Sequence, residues 1–371
     1  MLVQPTFNMN AKIKVIGVGG GGCNAINTMI SDYKIEGVEF VAINTDAQAL
    51  NNSLAPTKIQ IGTQRTGGLG AGGNPAVGAE AAEESAEELR KICEGADLIF
   101  VTGGMGGGTG TGAIPIISEI AKNSGALTIS IVTKPFAFEM EKRMNIALEG
   151  ISKLKNATDT MIIIPNQRIL EIIDKNITFV QAMKKVDEVL ANAVLSIASL
   201  VTETGFMNLD FADIKNILKD AGTAMMGVGH SSGEDRAVQA ARQAVTSPLL
   251  EMSIQGAKGL IFNIQGSEAL TMHEVESAAS LITEMVDSSA VTKFGTSIDP
   301  NLGDELRVTV LAAGFPERPT TSQSQKVSKV IPNSFPDTVE DSKKPDFETK
   351  KAVVIDDQTD DDVDIPAFLR R

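Results

Sequence analysis

Between Gly103 and Gly112 the chain reads Gly-Gly-Met-Gly-Gly-Gly-Thr-Gly-Thr-Gly, a run that no packed helix or strand interior would select. Each glycine in such an interior forfeits roughly 0.5–1 kcal/mol relative to alanine, so the run together approaches the net stability of a domain. Something must offset that loss. The preceding Ala96 to Thr102 reads as a buried strand, and Ala113 to Ala121 reads as the helix that follows. The glycines therefore fill a strand-to-helix turn. In open α/β sheets such turns hold phosphates, because glycine lets backbone N–H groups close on the oxygens and the helix presents its positive end. A flexible linker is the simpler reading of a glycine run, but a linker does not sit between two apolar elements.

A second cluster, Gly17-Val18-Gly19-Gly20-Gly21-Gly22-Cys23-Asn24, follows the first strand and opens the first helix. Alone it is similar to a dinucleotide fingerprint, which requires an acidic residue at the end of the next strand to hold a ribose. That strand ends instead in Asn44-Thr45-Asp46. Two phosphate-type loops in one sheet favour a triphosphate held from both sides. No lysine follows a glycine in the Walker pattern, so backbone amides, helix termini and a bound cation must neutralise most of the phosphate charge. Arg143 is one cationic candidate, although four residues after Glu139 it also suits an exposed i,i+4 ion pair.

The first half of the chain alternates strand-like runs with amphipathic segments: Ile13 to Gly17, Val38 to Asn44, Lys58 to Ile61, Asp97 to Thr102, Leu127 to Thr133 and Thr160 to Ile164. This alternation implies a mainly parallel, doubly wound sheet. Asn74-Pro75 supplies an N-cap and a first-turn proline for a helix running to Cys93. Apolar residues from Phe179 to Leu200 recur at three- and four-residue spacing and predict one helix of about 30 Å, a strut between two domains. A second module follows, with strands expected at Gly259 to Ile264, Val291 to Ile298 and Glu305 to Ala312, and helices at Asp235 to Val245 and Thr271 to Val286. Just past the strut, Asn208, Asp210 and Asp213 stand together. Asp210 suits a helix cap; the pair of carboxylates with Asn208 also suits orientation of a water or a cation for phosphate hydrolysis.

The 371 residues carry a net charge of −14, which argues against a sequence-independent grip on nucleic acid. No apolar run approaches the roughly 20 residues of a spanning helix, and Met1 to Asn10 has no signal-peptide pattern. A cytoplasmic protein with no direct membrane insertion is expected. Cys23 and Cys93 give neither a metal-ligand spacing nor a disulfide framework. After Phe315 the composition turns to Ser, Thr, Pro, Lys and Asp, too polar to bury a core. At the end, Asp364-Ile365-Pro366-Ala367-Phe368-Leu369-Arg370-Arg371 restores apolar residues and reads as a tethered binding peptide.

Taken in order, the Gly103 loop, the Asn208 to Asp213 segment and the terminal peptide resemble the signature loop, the catalytic synergy loop and the C-terminal recognition peptide of the FtsZ family, the bacterial tubulin-like GTPases of the division ring. The resemblance implies a tubulin-like α/β fold: an N-terminal extension over 1–10, a Rossmann-type parallel-sheet GTP-binding domain over 11–178, and a central helix over 179–203. A smaller α/β activation domain over 204–316, a disordered linker over 317–360 and a recognition peptide over 361–371 would follow. It implies that Gly20, Gly21, Gly22, Cys23 and Asn24, with Gly104, Gly107, Gly108, Thr109 and Gly110, surround the phosphates of GTP or GDP. Thr133, Glu139 and Arg143 would contact phosphate or ribose, while Asn166 and Asp187 would read guanine and sugar. Mg²⁺, and a monovalent cation as a further candidate, are the implied ions. Asn208, Asp210 and Asp213 would act on the nucleotide of the next subunit, so the implied partners are further copies of the chain, stacked head to tail at the mid-cell ring beneath the inner membrane. Membrane anchors and regulators of the FtsA-like or ZipA-like kind would bind Asp364 to Arg371. Three positions depart from the family pattern: Cys23 stands where a small or polar residue is common, Met183 where an aromatic is common, and Gly68 where an arginine is usual. A tubulin-like GTPase of another filament system and a dinucleotide oxidoreductase are the alternatives.

Overall fold

The alternating apolar runs assemble, in a computed structural model, into a ten-stranded sheet covered by helices on both faces. The structure describes residues 11–33, 37–173, 176–202, 210–248, 250 and 253–316. The expected N-terminal extension, Asn208, the linker over 317–360 and the terminal peptide lie outside the described residues. The strands are β1 Ile13–Val18, β2 Val38–Asn44, β3 Thr57–Gln60, β4 Leu98–Gly104, β5 Leu127–Lys134, β6 Thr160–Pro165, β7 Gly222–Ser232, β8 Gly259–Gly266, β9 Val291–Ile298 and β10 Glu305–Ala313. The helices are α1 Gly19–Thr28, α2 Ala47–Asn51, α3 Thr63–Thr66, α4 Pro75–Glu84, α5 Ala86–Cys93 and α6 Thr109–Asn123. They continue with α7 Glu141–Ala157, α8 Asn166–Ile172, α9 Phe179–Thr202, α10 Phe211–Leu218, α11 Arg236–Val245 and α12 Met272–Glu284.

The strand order is β3-β2-β1-β4-β5-β6-β7-β10-β8-β9. Strands β1 to β6 pair in parallel, as the alternation requires, and the order reverses direction between β1 and β4. A crevice opens at such a switch point, because the connections leaving β1 and β4 cross to opposite faces of the sheet. β10 runs antiparallel to both of its neighbours, β7 and β8, and β9 closes the far edge parallel to β8.

Side chains alternate across the strands, and the core divides accordingly. One face buries Ile13, Val15, Phe100, Ile131, Met226, Ile261 and Leu311 under α1, α9 and α10. The other buries Ile16, Val18, Ile99 and Val132 with residues of α4 to α7, and farther along Leu260, Phe262, Val308 and Val310 with residues of α11 and α12. The predicted strut helix is present, but it does not bridge a gap. Val186, Leu190, Val194 and Ile197 of α9 share one apolar cluster with residues from both halves of the sheet. The halves also meet directly, where Thr160, Met161 and Ile162 of β6 pair with Gly222, Thr223 and Ala224 of β7. Lys122 closes this short seam by bonding Asp220 at 2.6 Å and the buried Asp159 at 3.3 Å.

Strand β7 is absent from the sequence reading. Its glycines dilute the apolar alternation because a helix lies directly on them: a Cβ at Gly227 or Gly229 would strike the carbonyls of Ala244 and Ala240 on α11. The helix predicted from Pro75 to Cys93 is broken at Ser85, whose side chain accepts the N–H of Gly62. No helix among the described residues is long and apolar enough to cross a membrane.

Candidate functional site

A cleft of about 380 Å³ lies at the switch point, where β1 hands over to α1 and β4 to α6. Its volume falls within the range of about 300–1,000 Å³ typical of small-molecule sites. Gly20, Gly21 and Asn24 line it from α1; Gly104, Gly107, Gly108, Thr109 and Gly110 line it from the loop after β4. Helix α6 begins at Thr109, four residues earlier than the apolar pattern suggests, so the last glycines of the run already belong to its first turn. Neither Val18 before α1 nor Gly108 before α6 donates a side-chain cap, whereas Asp46, Asn74 and Thr271 cap their helices. Two uncapped positive helix ends thus converge on one cleft, an arrangement suited to a polyanion.

The loop is held in shape by its own hydrogen bonds. Met105 N–H donates to the Thr133 carbonyl at 3.0 Å, Gly106 N–H to Thr111 Oγ1 at 2.8 Å, and the hydroxyls of Thr45 and Thr109 lie 2.6 Å apart. A Cβ on Gly110 would sit 2.5 Å from the Gly104 carbonyl oxygen, while one on Gly20 or Gly107 would meet no atom within 4 Å. The glycines therefore divide into those that let the backbone close on itself and those that keep the cleft open.

Gly22 and Cys23, expected among the phosphate contacts, do not line the cleft. A Cβ at Gly22 would lie 2.5 Å from the Thr102 carbonyl, so this glycine serves the packing of α1 on β4. Cys23 turns into the core, its thiol 4.0 Å from the Ile43 carbonyl and pushed up to about 11 by burial.

Beyond the glycines, Thr133, Glu139, Arg143, Asn166, Met183 and Asp187 all line the cleft. Glu139 accepts the Phe136 N–H at 2.9 Å and pairs with Arg143 at 2.7 Å. The i,i+4 pair is thus real, and it faces the cleft, where Arg143 is the one cationic lining residue among the described residues. Asn166 is buried at the start of α8, and its Oδ1 finds no hydrogen-bond partner, an unfilled acceptor that a ligand N–H would satisfy. Asp187 projects from α9 between Met183 and Leu190; burial first, and the Glu188 charge second, push its carboxyl up to about 7. Sequence reasoning passed over Met105, Pro135, Phe136, Val186 and Leu190, which also line the cleft. The last two sit one and three residues from Asp187 and were read only as the apolar stripe of a helix.

Asp210 and Asp213 lie elsewhere, at the start of α10, and neither lines the cleft. Asp210 occupies the N-cap position of α10 but makes no side-chain cap bond, so capping does not explain its carboxylate. Asp213, in the first turn, is 3.0 Å from Lys293 Nζ of β9. Gly68 has φ of +82°, a conformation that disfavours any side chain, and the segment around it supplies no cation to the cleft. No group of three His, Cys, Asp or Glu suited to a metal occurs among the described residues.

Residues 12–174 match the model of the Tubulin/FtsZ family GTPase domain, and residues 222–316 that of the FtsZ family C-terminal domain. Among solved structures, the chain is similar to an empty FtsZ dimer from M. jannaschii at 45% identity, covering 82% of this chain and 88% of that one with a TM-score of 0.78. A point mutant of the same FtsZ matches at 45% identity over 82% and 92% of the two chains, with a TM-score of 0.79. The GTPγS-bound CetZ2 protofilament of Haloferax volcanii shares the fold, with a TM-score of 0.72 at 20% identity over 83% and 94%. These likenesses set aside the oxidoreductase alternative. The chain belongs to the Tubulin/FtsZ family of GTPases, its GTPase domain followed by the C-terminal domain of FtsZ.

Proposed function

We propose that this GTPase assembles head to tail into filaments of the bacterial division ring and hydrolyses GTP to GDP and phosphate at the junction between subunits. One observation carries the reading: the cleft suits a nucleotide, yet the exposed Asp210, which makes no cap bond, and the half-buried Asp213, paired with Lys293, stand outside it at the start of α10. A second subunit stacked on the first would bring the two halves together. Such a contact is heterologous and propagates without closing, which yields a filament. An FtsZ relative is known as a dimer and the CetZ2 relative as a protofilament.

Within the cleft, the amides of Gly20, Gly21, Gly107 and Gly108 and the starts of α1 and α6 would hold the phosphates. The Arg143 guanidinium, kept in place by Glu139, would add positive charge. Asn166 Oδ1 and the Asp187 carboxylate would accept from the base, Asp187 from the guanine N1–H and N2–H₂ pair. Magnesium on the phosphates would neutralise charge that the chain's single lining arginine leaves unmet. The carboxylates of Asp210 and Asp213, arriving from the neighbour with Asn208, would orient water for in-line attack on the γ-phosphate. Catalysis would then rest on positioning and charge stabilisation of a loose phosphoryl transition state. Loss of the γ-phosphate would loosen the junction.

A divided site makes turnover cooperative in protein. GTP turnover per subunit should rise steeply above a threshold concentration, together with light scattering; flat specific activity across that range would contradict the reading.

A further inference from the structure

Helix α10 is fixed against the sheet at close range. A Cβ at Gly259, the first residue of β8, would lie 2.6 Å from the Ile217 side chain, and Ile214, Ile217 and Leu218 are buried beneath the helix. Strand β9, on the outer side of β8, carries Lys293 opposite Ile261. From there the lysine reaches the first turn of α10 and bonds Asp213 Oδ1 through Nζ at 3.0 Å, with side chains 40% and 34% exposed. A lysine on an edge strand commonly serves only to discourage pairing with another sheet. This one is turned onto the carboxylate that the proposed mechanism uses. The pair occupies one carboxylate oxygen, and among the described residues Oδ2 has no hydrogen-bond partner, so it can accept from a water.

We propose that Lys293 is a positioning residue for hydrolysis: it fixes the rotamer of Asp213 so that the free carboxylate oxygen faces the nucleotide of the next subunit. The proposal rests on the reading that Asp213 acts in trans. Holding an exposed side chain in one orientation matters here because the water must lie in line with the γ-phosphate, and a carboxylate that wanders among rotamers orients it only part of the time. Exposed ion pairs add little to stability, so removing the lysine should leave the fold intact.

The test compares Lys293→Met, Lys293→Arg and Asp213→Asn in the full chain. Above the assembly threshold, Lys293→Met should lower GTP turnover per subunit about 5-fold, consistent with the loss of one oriented contact. GDP affinity, measured below the threshold, and the melting temperature should stay unchanged. Lys293→Arg should restore at least half of the turnover, and Lys293→Met should add nothing to the defect of Asp213→Asn. Parental turnover in Lys293→Met, with Asp213→Asn inactive, would overturn the role of the lysine while sparing that of the aspartate. Full turnover in Asp213→Asn would instead remove the trans mechanism, and the proposal with it. A defect in Lys293→Met that arginine fails to rescue, or that comes with a lowered melting temperature, would also overturn positioning.

Discussion

Single atoms decide which glycines of the two loops are functional and which are structural. Gly107 borders the cleft with open space where a Cβ would go, so Gly107→Ala should fold normally and bind GDP at least 10-fold more weakly, since the methyl would hold phosphate away from the amides. Gly110→Ala drives a methyl toward the Gly104 carbonyl and should lower stability by about 1–3 kcal/mol, as overpacking does, visible as a shifted denaturant midpoint. Asp187 gives a pH test. Burial lifts its carboxyl to about 7, so below that pH the free protein holds it neutral, whereas a guanine would require the carboxylate. GDP affinity should therefore rise from pH 6 to pH 8 more steeply in the parent than in Asp187→Asn, the mutant isolating this group from the phosphate's own titration. The stability sign is opposite: the proton bound only by the folded state is lost as pH rises from about 4 to about 7, so the nucleotide-free fold loses this contribution over that window. Arg143 stood out as a cationic candidate from its residue type alone, whereas Asp187 was announced only through the family resemblance. Cys23 and Gly22 show the limit of that route, because a residue inside a phosphate-loop motif can face the sheet and core rather than the cleft.

Secondary elements were legible wherever apolar spacing had nothing competing with it. β2 and β9 coincide with the predicted spans, and α9 extends the predicted helix by only two residues. Failures have local causes. β7 was hidden by the glycines that admit α11, and the helix after Pro75 is interrupted because Ser85 turns its hydroxyl to Gly62. The buried Arg236 at the start of α11 was invisible for a different reason: its partners lie far apart in sequence. It bonds Glu274 of α12 through Nε at 2.6 Å, and the Asp304 carbonyl and carboxylate at 2.8 and 3.1 Å before β10. Hydrogen bonding to Arg236 holds the Glu274 carboxyl down at about 2. Arg236→Ala would remove a buried guanidinium from the half-buried Glu274 and the exposed Asp304 and should cost about 1–3 kcal/mol in chemical denaturation. A depressed carboxyl stabilises the fold above its unfolded value, so the Glu274 contribution should persist at neutral pH and vanish as pH falls from about 4 toward 2.

At the scale of the molecule, the sheet continues from the GTPase domain into the C-terminal domain, and α9 packs on both. The order of loops along the chain made the family readable, since alternation implied a mainly parallel, doubly wound sheet and the two glycine runs marked its turns, whereas the strand order emerged only in the structure. Residue type singled out Asp210 and Asp213, but the contact between copies that is proposed to bring them to the cleft has no signature in the sequence of one chain. The terminal peptide, Asp364 to Arg371, is proposed to act apart from this machinery: its deletion should leave GTP turnover and sedimentable filaments unchanged while abolishing binding to a membrane anchor, measured by co-sedimentation with anchor-bearing vesicles. The division of one active site between two chains is tested most directly by mixing two variants impaired in different halves of it. Asp213→Asn keeps an intact cleft but lacks the carboxylate, and Gly107→Ala keeps the carboxylate but has a damaged cleft. Combined above the assembly threshold, at a GTP concentration too low to saturate Gly107→Ala, they should turn over more GTP than the two measured separately. A mixture that co-sediments yet turns over no more GTP than its parts would contradict the shared site.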